Sequence, residues 1–364
     1  MTPIQVARDI TGVISAAEAR DAIYVDFECL ATKPVQAMLL GVLVGSEGEQ
    51  LEQIIVDQRL APARVANRRC RVATASAAVT ELLSIAVSDN RTIVGWSFFD
   101  RDRLIAAAPE LEPAIRARYR NALPLARPWR SALHPDFAVV REDPHAPTHT
   151  LDKYAQLAGY PGVAQFRHAA PARWIRHVLS QLDATKGSYR RATTQTKRDW
   201  HKLLEYNRHD CLALRHIVLK ASHEFHSWRA YERTRFCINE AARPRFCFMT
   251  GSRNKKLEAL LRRHCTTRWA FITAWNPASV VVDREENDAR QARLRRQVET
   301  DGFVVIKGEG VGEDPAWPPE ASLLILGMHP GQAVKVGQEF GQLAVLVGRR
   351  GGPAHLVSCA QFAE

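Results

Sequence analysis

The stretch "YVDFECL", residues 24–30, is the strand around which the N-terminal fold is predicted. Successive side chains of a strand face opposite ways, so Asp26 and Glu28 share one face while Val25 and Phe27 share the other. Two carboxylates together on a core strand are costly unless one takes up a proton or a partner neutralises both. A divalent cation would neutralise both. The stretch therefore predicts a cation site at the end of a buried strand.

The segments around this strand predict a mixed sheet with helices on its faces. Helical spacing with a Thr or Ser cap predicts a helix over residues 74–90, and "HTLDKYAQLAGYP" (149–161) predicts a short helix stopped by Gly159 and Pro161. The long amphipathic pattern of residues 197–225 predicts the strongest helix of the chain. The apolar runs predict strands at residues 21–30, 37–46, 51–57 and 91–100, the last leading into a helix.

A chain of 364 residues suits two domains rather than one core. We predict a first domain over residues 1–225 and a basic linker over 226–244. A second, smaller α/β domain follows over residues 245–364. Its pattern predicts a helix at residues 286–302 and strands at 269–275, 303–311, 321–328, 342–348 and 354–359.

Charge, apolar runs and cysteine spacing favour some classes of function and argue against others. The net charge of +11 favours a polyanionic partner such as nucleic acid. No apolar run approaches the ~20 residues that a membrane helix needs, and the start lacks the pattern of a secretory signal, so we expect a cytoplasmic protein without a membrane partner. The seven cysteines contain no CxxC pair, which predicts reduced structural thiols and no zinc site.

Three further residues are candidates for the cation site. Asp100 follows the apolar run "IVGWSFF" (93–99) and begins a helix, where it could equally serve as a cap, and Asp102 is the competing assignment. Asp210 lies on the packed stripe of the long helix, where the alternative is a salt bridge to Arg208 or Arg215. Tyr206 lies one turn earlier on the same face, although core packing would also explain it. The neighbouring His201 and His209 are interpreted as surface or supporting groups rather than ligands.

These motifs resemble those of the DEDD 3'-5' exonuclease superfamily, in its tyrosine-containing branch, on a ribonuclease H-like fold. The resemblance rests on "DFE" (26–28), "FFDRDRL" (98–104) and "YNRHD" (206–210), extends to "LDKYAQLAGY" (151–160), and covers roughly residues 18–225. It is strongest with the predicted ribonuclease H-like exonucleases of bacteria. One departure is that Gly95, Trp96 and Ser97 stand where the family usually carries His or Asn before its second Asp.

The resemblance implies hydrolysis of phosphodiesters with release of 5'-nucleotides. Asp26, Glu28, Asp100 and Asp210 would hold two Mg²⁺ or Mn²⁺ ions about 3.5–4 Å apart. One ion would activate a water that Tyr206 orients, and the other would stabilise the departing 3'-oxygen. The implied partner is single-stranded or 3'-ended nucleic acid, either DNA or RNA, and the sequence leaves the oligomeric state open.

Two basic clusters could contact phosphates without reading sequence, although solvated faces would explain them equally well. The first precedes and enters the long helix, and the second lies in the C-terminal domain. The candidate nucleic-acid-binding residues are Lys186, Arg190, Arg191, Lys197 and Arg198 in the first cluster and Arg253, Lys255 and Lys256 in the second.

The C-terminal segment resembles a small bacterial domain family of unknown function. The resemblance rests on "FITAWNPAS" (271–279), "REEN" (284–287), "WPPEASLLILG" (317–327) and "EFGQLAVL" (339–346). Polar residues at strand ends could line a ligand pocket there, or they could be turn and capping residues. The candidates are Thr273, Asn276, Ser279, Asn287, Glu320 and Gln342.

Two rival functions use the same residues. In one, the first domain keeps the ribonuclease H-like fold without catalysis and recruits the C-terminal domain to nucleic acid. In the other, the C-terminal domain carries the main chemistry on a nucleotide or modified base, and the first domain acts as its reader.

Overall fold

The computed structural model describes residues 13–44, 50–66, 70–137, 148–166, 169–240 and 243–360, and these divide into two compact units. Described residues up to 127 and those from 148 to 222 belong to the first unit. Residues 128–137 and the described residues from 223 onward belong to the second. Among the described residues, no helix is both long and apolar enough to cross a bilayer.

The first unit contains a mixed sheet. Its strands are β1 (Ile23–Leu30), β2 (Gln36–Val44), β3 (Gln50–Ile55), β4 (Cys70–Val72), β5 (Ile93–Gly95) and β6 (Tyr119–Asn121). Within the described residues their order is β4-β3-β2-β1-β5-β6. Strand β2 runs antiparallel to β1 and β3, whereas the β3–β4, β1–β5 and β5–β6 pairs are parallel.

Eight α-helices begin in this part of the described chain, and two of them, α5 and α8, contribute residues to both units. They are α1 (Ala16–Asp21), α2 (Ala75–Ser88), α3 (Phe98–Ala107), α4 (Glu112–Arg118), α5 (Leu123–Leu133), α6 (Leu151–Leu157), α7 (Pro171–Ala184) and α8 (Thr194–Arg233). Short 3₁₀ helices lie at Gln58–Ala66, Pro109–Leu111, Val163–Phe166 and Tyr189–Arg191. The predicted cap of α2 is confirmed, because the Thr74 hydroxyl accepts a hydrogen bond from the Ala77 N–H at 3.2 Å.

Apolar clusters cover both faces of the first sheet. Val25 and Phe27 of β1 pack in a cluster with residues of α2, α3 and α4. Met38 and Leu39 of β2 pack in a second cluster with residues of α7 and α8, including Leu203. Leu39 is paired with Glu28 across the strands, so α8 covers the face that carries the carboxylates. The predicted mixed α/β sheet with flanking helices is confirmed.

The second unit contains an antiparallel sheet. Its strands are β7 (Arg235–Ile238), β8 (Phe246–Phe248), β9 (Arg268–Thr273), β10 (Val304–Val311), β11 (Glu320–Leu326), β12 (Ala344–Arg349) and β13 (His355–Ser358). Their order in the described residues is β13-β12-β9-β11-β10-β7-β8. Helices α9 (Lys255–Arg263), α10 (Arg284–Thr300) and α11 (Pro330–Glu339) and a 3₁₀ turn (Pro277–Ser279) complete the unit. Cores on the two faces include Leu260 of α9 on one side and Leu294 of α10 on the other.

Two sequence-based expectations differ from the structure here. The expected linker, residues 226–244, instead contains the end of α8 and the whole of β7, because the long helical pattern continues past residue 225. The expectation of reduced cysteines is corrected for Cys237 and Cys247, which form a disulfide across the β7–β8 hairpin. Their spacing in the sequence shows no motif, because only the hairpin register brings the two thiols together.

Candidate functional site

Strand β1 brings Asp26 and Glu28 side by side, as strand alternation predicts. Ligand oxygens of these two residues and of Asp210 all lie within 4.8 Å of one another. Among the described residues, Glu28 Oε1 and Asp210 Oδ1 are buried without a hydrogen-bond partner. Buried carboxylate oxygens without partners are costly, which indicates that something else satisfies them in the working protein.

Helix α8 contributes Tyr206, Asn207 and Asp210 to this cluster, and Tyr206 lies one turn before Asp210. Asn207 Nδ2 donates to Asp26 Oδ2 at 2.9 Å, and Asn207 Oδ1 accepts from Gln53 Nε2 at 3.1 Å. Asn207 therefore fixes the orientation of Asp26 from the helix side. Neither Asn207 nor Gln53 was predicted from the sequence. The available signal for Asn207 was an amide in the long helix, three residues before Asp210.

Close packing at Gly41 allows α8 to reach β1. Gly41 is the strand partner of Asp26. A Cβ at this position would lie 2.5 Å from Asn207 Oδ1 and 2.7 Å from Cys211 Sγ, distances that real Cβ contacts do not show. The absence of a side chain at Gly41 is therefore what lets Asn207 approach the strand.

Asp100 lies at a different kind of position from the one expected. The predicted strand of residues 91–100 ends at Gly95, and α3 begins at Phe98 after the cap Ser97. Asp100 is thus the third residue of the helix, where its carboxylate accepts from the Ser97 N–H at 3.4 Å in a capping box. The Asp100 carboxylate therefore has the contact of a helix cap. After burial and the charges of other carboxylates, the Asp100 charge also raises the pKa values of Glu28 and Asp210. Asp102 is exposed and paired with Arg101 at 2.9 Å.

A second set of possible ligands shares Asp210. Ligand atoms of Asp152, His209 and Asp210 also lie within 4.8 Å of one another. His209 is 6% exposed, so of its two predicted roles, surface or supporting group, burial excludes the first, whereas His201 is exposed. The His209 ring packs on Phe166 with centroids 4.6 Å apart, and its Nε2 has no hydrogen-bond partner in the described chain. Asp152 was missed because an acid in the first turn of a helix usually serves only the helix dipole.

Burial dominates the electrostatics of this cluster. It raises the pKa of Asp26 to about 6 and that of Asp100 to about 7, with the Asp26 charge adding to the shift at Asp100. Burial followed by the charges of Asp26 and Asp210 holds the pKa of Glu28 well above its usual range. Burial and then Asp210 raise the pKa of Tyr206, so its phenol stays protonated at neutral pH. Carboxylates that repel one another in a buried site favour a bound cation or a bound proton.

Aromatic side chains surround the turn before Asp100. Phe98 and Phe99 are 50% and 45% exposed, and each lies under a guanidinium, that of Arg101 or Arg103. Trp96 donates from Nε1 to the His149 carbonyl at 2.9 Å. Exposed rings next to a carboxylate cluster are surfaces on which bases can stack.

The predicted basic residues are all at the surface. Each is exposed, and within the described residues none of them forms an ion pair with an acidic side chain. Lys197 donates to the Arg190 carbonyl at 3.0 Å. The two clusters lie in different units, the group at 186–198 in the first and the group at 253–256 in the second. They are available for an anionic partner.

The six polar residues predicted in the second unit form hydrogen bonds around the turn after β9. Asn276 Nδ2 donates to Glu320 Oε1 at 2.7 Å, and its Oδ1 accepts from Asn287 Nδ2 at 3.0 Å. Thr273 accepts from the Trp275 N–H at 3.0 Å, and Gln342 donates to the Trp275 carbonyl at 2.9 Å. The Ser279 hydroxyl hydrogen-bonds Tyr231. Asn276 and Asn287 also line a cavity beside this turn.

Comparison with known proteins gives one match, and it falls in the second unit. Residues 272–345 match the family described as "Protein of unknown function (DUF3293)". The expected resemblance of the C-terminal segment to a domain family of unknown function is thereby confirmed. No curated protein and no solved structure matches the chain.

Proposed function

We propose that the first unit is a metal-dependent 3'-5' exonuclease with a ribonuclease H-like fold, and that it releases 5'-nucleotides. One observation carries the proposal: Asp26, Glu28 and Asp210 converge within 4.8 Å in a buried site that leaves two of their oxygens without partners. A sheet in which only β2 runs against its neighbours, with helices on both faces, supports the fold assignment.

The donor atoms fit divalent cations. Asp26, Glu28 and Asp210 offer the oxygen ligands that Mg²⁺ and Mn²⁺ prefer and would hold one ion. Asp210 with Asp152 and His209 would hold a second, and a ring nitrogen in that set favours Mn²⁺ over Mg²⁺. Asp100, expected as a fourth ligand, belongs to neither set and would act on the ions through its charge. When bound, the ions would activate water and stabilise the departing 3'-oxygen.

The chain's own residues prepare the site for this chemistry. Tyr206 stays protonated, so it would orient a water by donating or accepting a hydrogen bond rather than remove a proton as a base. Asn207 holds Asp26 in place by donating a hydrogen bond to Asp26 Oδ2, which keeps Asp26 Oδ1 available for a cation. The apolar packing of Phe166 on Tyr206 and His209 limits water on that side.

Surface chemistry supports a single-stranded nucleic acid as substrate. The exposed rings of Phe98 and Phe99 lie directly before Asp100 and would stack bases of a strand end. The exposed, unpaired cations at residues 186–198 in the same unit would contact phosphates. Neither group reads sequence, which suits an enzyme that removes successive nucleotides.

A cleavage assay with matched carboxylate variants tests the proposal. With Mn²⁺ or Mg²⁺, 5'-labelled single-stranded DNA or RNA should shorten from its 3' end and release 5'-nucleotides. Asp26→Asn and Asp210→Asn should abolish cleavage and lower the number of Mn²⁺ ions bound, measured by calorimetry. Asp102→Asn is the matched control, because its carboxylate is exposed and paired with Arg101, and it should cleave normally.

Metal binding separates the enzyme from the non-catalytic rival. A protein that binds Mn²⁺ through Asp26 and Asp210 yet leaves every strand intact would be a binding module, and the exonuclease proposal would fail. His209→Ala should remove one of two Mn²⁺ ions while leaving the other. Two ions retained in that variant would contradict the second set of ligands.

A further inference from the structure

The second unit contains a cavity of about 310 Å³ beside the turn that follows β9. This volume lies at the lower end of the roughly 300–1,000 Å³ found for small-molecule sites. Two indoles, a run of prolines, two amides and one guanidinium contribute to its walls. The residues that matter for its chemistry are Trp275, Trp317, Pro318, Arg284, Asn276 and Asn287.

The two indoles offer ring faces and one N–H donor that a ligand could contact. In the described chain, neither the Trp275 nor the Trp317 ring is in contact with another aromatic ring or with a guanidinium. Trp317 Nε1 donates to Glu320 Oε1 at 3.0 Å, which fixes that ring. Trp275 Nε1 is buried without a hydrogen-bond partner among the described residues. A buried donor without a partner beside a cavity indicates that a ligand acceptor completes it.

The other polar groups of the cavity are already satisfied. Asn276 Oδ1 accepts from the Val282 N–H at 3.2 Å as well as from Asn287. Asn287 Oδ1 accepts from the Asn276 N–H at 2.8 Å. Arg284 lies 3.7 Å from Asp288 as an ion pair, and its side chain is 89% exposed. The cavity therefore presents apolar faces and one N–H donor, with little net charge.

Backbone strain is concentrated in the same turn. Asn276, Ala278 and Ser279 have φ values of 44°, 52° and 58°, the left-handed region that non-glycine residues rarely adopt. Contacts from other elements hold it: His223 Nε2 donates to the Ala278 carbonyl at 2.7 Å, and the Ala278 N–H donates to Gly341 O at 2.7 Å. Strain that the surrounding structure maintains in this way clusters at ligand sites.

We infer that this cavity binds a nucleobase. A flat, neutral ring can stack on indoles that no other ring or guanidinium contacts among the described residues, and every nucleobase carries a ring nitrogen or carbonyl oxygen that can accept from Trp275 Nε1. The cavity volume fits one ring with a substituent rather than an extended peptide. All residues that line it lie within the segment 272–345 that matches the family of unknown function, so the inference assigns that segment a ligand class. It does not depend on exonuclease activity in the first unit.

Equilibrium binding with separate ligand arms tests the inference. The full chain carrying Asp26→Asn and Asp210→Asn would be titrated with the common nucleosides, their 5'-monophosphates and a short single-stranded oligonucleotide, using calorimetry or saturation-transfer NMR. These two substitutions remove the proposed cleavage, so binding here is measured independently of whether the exonuclease proposal holds. Nucleosides and monophosphates should bind alike, because Arg284 is already paired and the phosphate adds little.

Indole variants locate the binding. Trp317→Ala should weaken binding about tenfold by removing a stacking face. Trp275→Phe keeps a ring but removes the N–H donor, so it should weaken binding by a smaller factor and remain folded. Trp228→Phe is the matched control, because Trp228 lies on α8 outside the cavity and donates to Glu232 at 3.2 Å.

The ligand arms identify the source of the base. If nucleosides and monophosphates bind equally and both Trp variants weaken that binding, the ligand is a free nucleoside or nucleotide. Binding of the oligonucleotide alone, weakened by the same variants, supports a base at the end of a strand. Binding that neither variant changes, or binding of a proline-rich peptide in place of every nucleobase ligand, would overturn the inference.

Discussion

At the residue scale, the candidate site depends on carboxyl groups held where water cannot stabilise their charges. Asp26 and Glu28 lie side by side on β1, and Asp210 approaches them from α8. Burial raises the pKa of each of these groups, so their charged forms are disfavoured unless a cation is present. The same burial that makes the site suitable for metal therefore makes the metal-free protein sensitive to pH.

Asp100 gives a pH prediction with a definite sign. Its pKa is about 7 in the folded protein and 3.8 when unperturbed, so between these values the folded state holds a proton that the unfolded state has lost. In EDTA, the free energy of unfolding should therefore fall as the pH rises from about 4 to about 7 and then level off for this group. Asp100→Asn cannot titrate, so it should gain stability over the native protein by on the order of a few kcal/mol across that range.

Urea unfolding of both proteins in EDTA, at intervals from pH 4.5 to 8, measures this difference. The comparison with Asp100→Asn cancels the contributions of titrating groups that do not interact with Asp100, whereas Asp26, Glu28 and Asp210 remain coupled to it. A stability difference that is constant with pH, or that favours the native protein at high pH, would show that Asp100 is not a buried proton-binding carboxyl.

At the element scale, two glycines set how closely helices approach the first sheet. Gly41 admits Asn207 of α8 against β2, and Gly95 ends β5 just before α3. A Cβ at Gly95 would lie 2.2 Å from Tyr119 Oη and 2.9 Å from Asp100 Cβ. The strand-to-helix connection thus places Asp100 only because residue 95 has no side chain.

Gly95→Ala should lower the free energy of unfolding by about 1–3 kcal/mol, because the added methyl overpacks the turn. The same substitution in a Tyr119→Phe background should cost less, since the hydroxyl that it meets first is gone. Gly312→Ala is the control, because the added Cβ would lie 4.0 Å from the Asp314 backbone nitrogen, an ordinary contact distance. Denaturant unfolding of the native protein, Gly95→Ala, Tyr119→Phe and the double variant gives the coupling free energy between the two positions. Additive effects of Gly95→Ala and Tyr119→Phe would contradict the proposed contact.

Much of the element pattern could be predicted from the sequence. Alternation placed Asp26 and Glu28 on one face, and periodicity located α2, α6 and most of α8. The strand expected at residues 91–100 was too long, because the Ser97 cap and the Asp100 capping box begin a helix inside the apolar run. Strand β7 was missed within the predicted linker, and strand β8 and helix α9 were missed at the start of the second domain.

At the scale of the whole molecule, positive charge is the property most relevant to a partner. The chain carries a net charge of +11, and the two predicted basic clusters are exposed without ion pairs in the described residues. Contacts to phosphate release counterions, so affinity for a strand should depend steeply on salt. The two clusters lie in separate units, which lets each be tested by itself.

Neutralising the first cluster should reduce the salt dependence of binding. In an Asp210→Asn background that prevents the proposed cleavage, replacing Arg190, Arg191 and Lys197 with Ala should lower the slope of log affinity against log salt by about 0.7 per lost phosphate contact. Fluorescence anisotropy with a labelled single-stranded oligonucleotide measures it. The equivalent triple variant of Arg253, Lys255 and Lys256 tests the second cluster separately.

A charge-matched control distinguishes contact from net charge. Arg116, Arg229 and Arg295 each pair with an acid of the same helix, so replacing them removes the same formal charge from sites that are already occupied. That variant should keep the native slope. An unchanged slope in both cluster variants would show that neither surface contacts phosphates.

The sequence by itself determined which polar residues lie in or beside apolar elements: Asp26 and Glu28 on β1, Tyr206 and Asp210 on α8, and the polar turn after β9. These follow from periodicities of two and 3.6 residues, which act over a few positions of the chain. Only the tertiary structure decided that Asn207 orients Asp26, that Asp152 and His209 join Asp210, and that Cys237 meets Cys247. Those relations depend on packing distances and strand register between segments far apart in sequence, and no local pattern contains them.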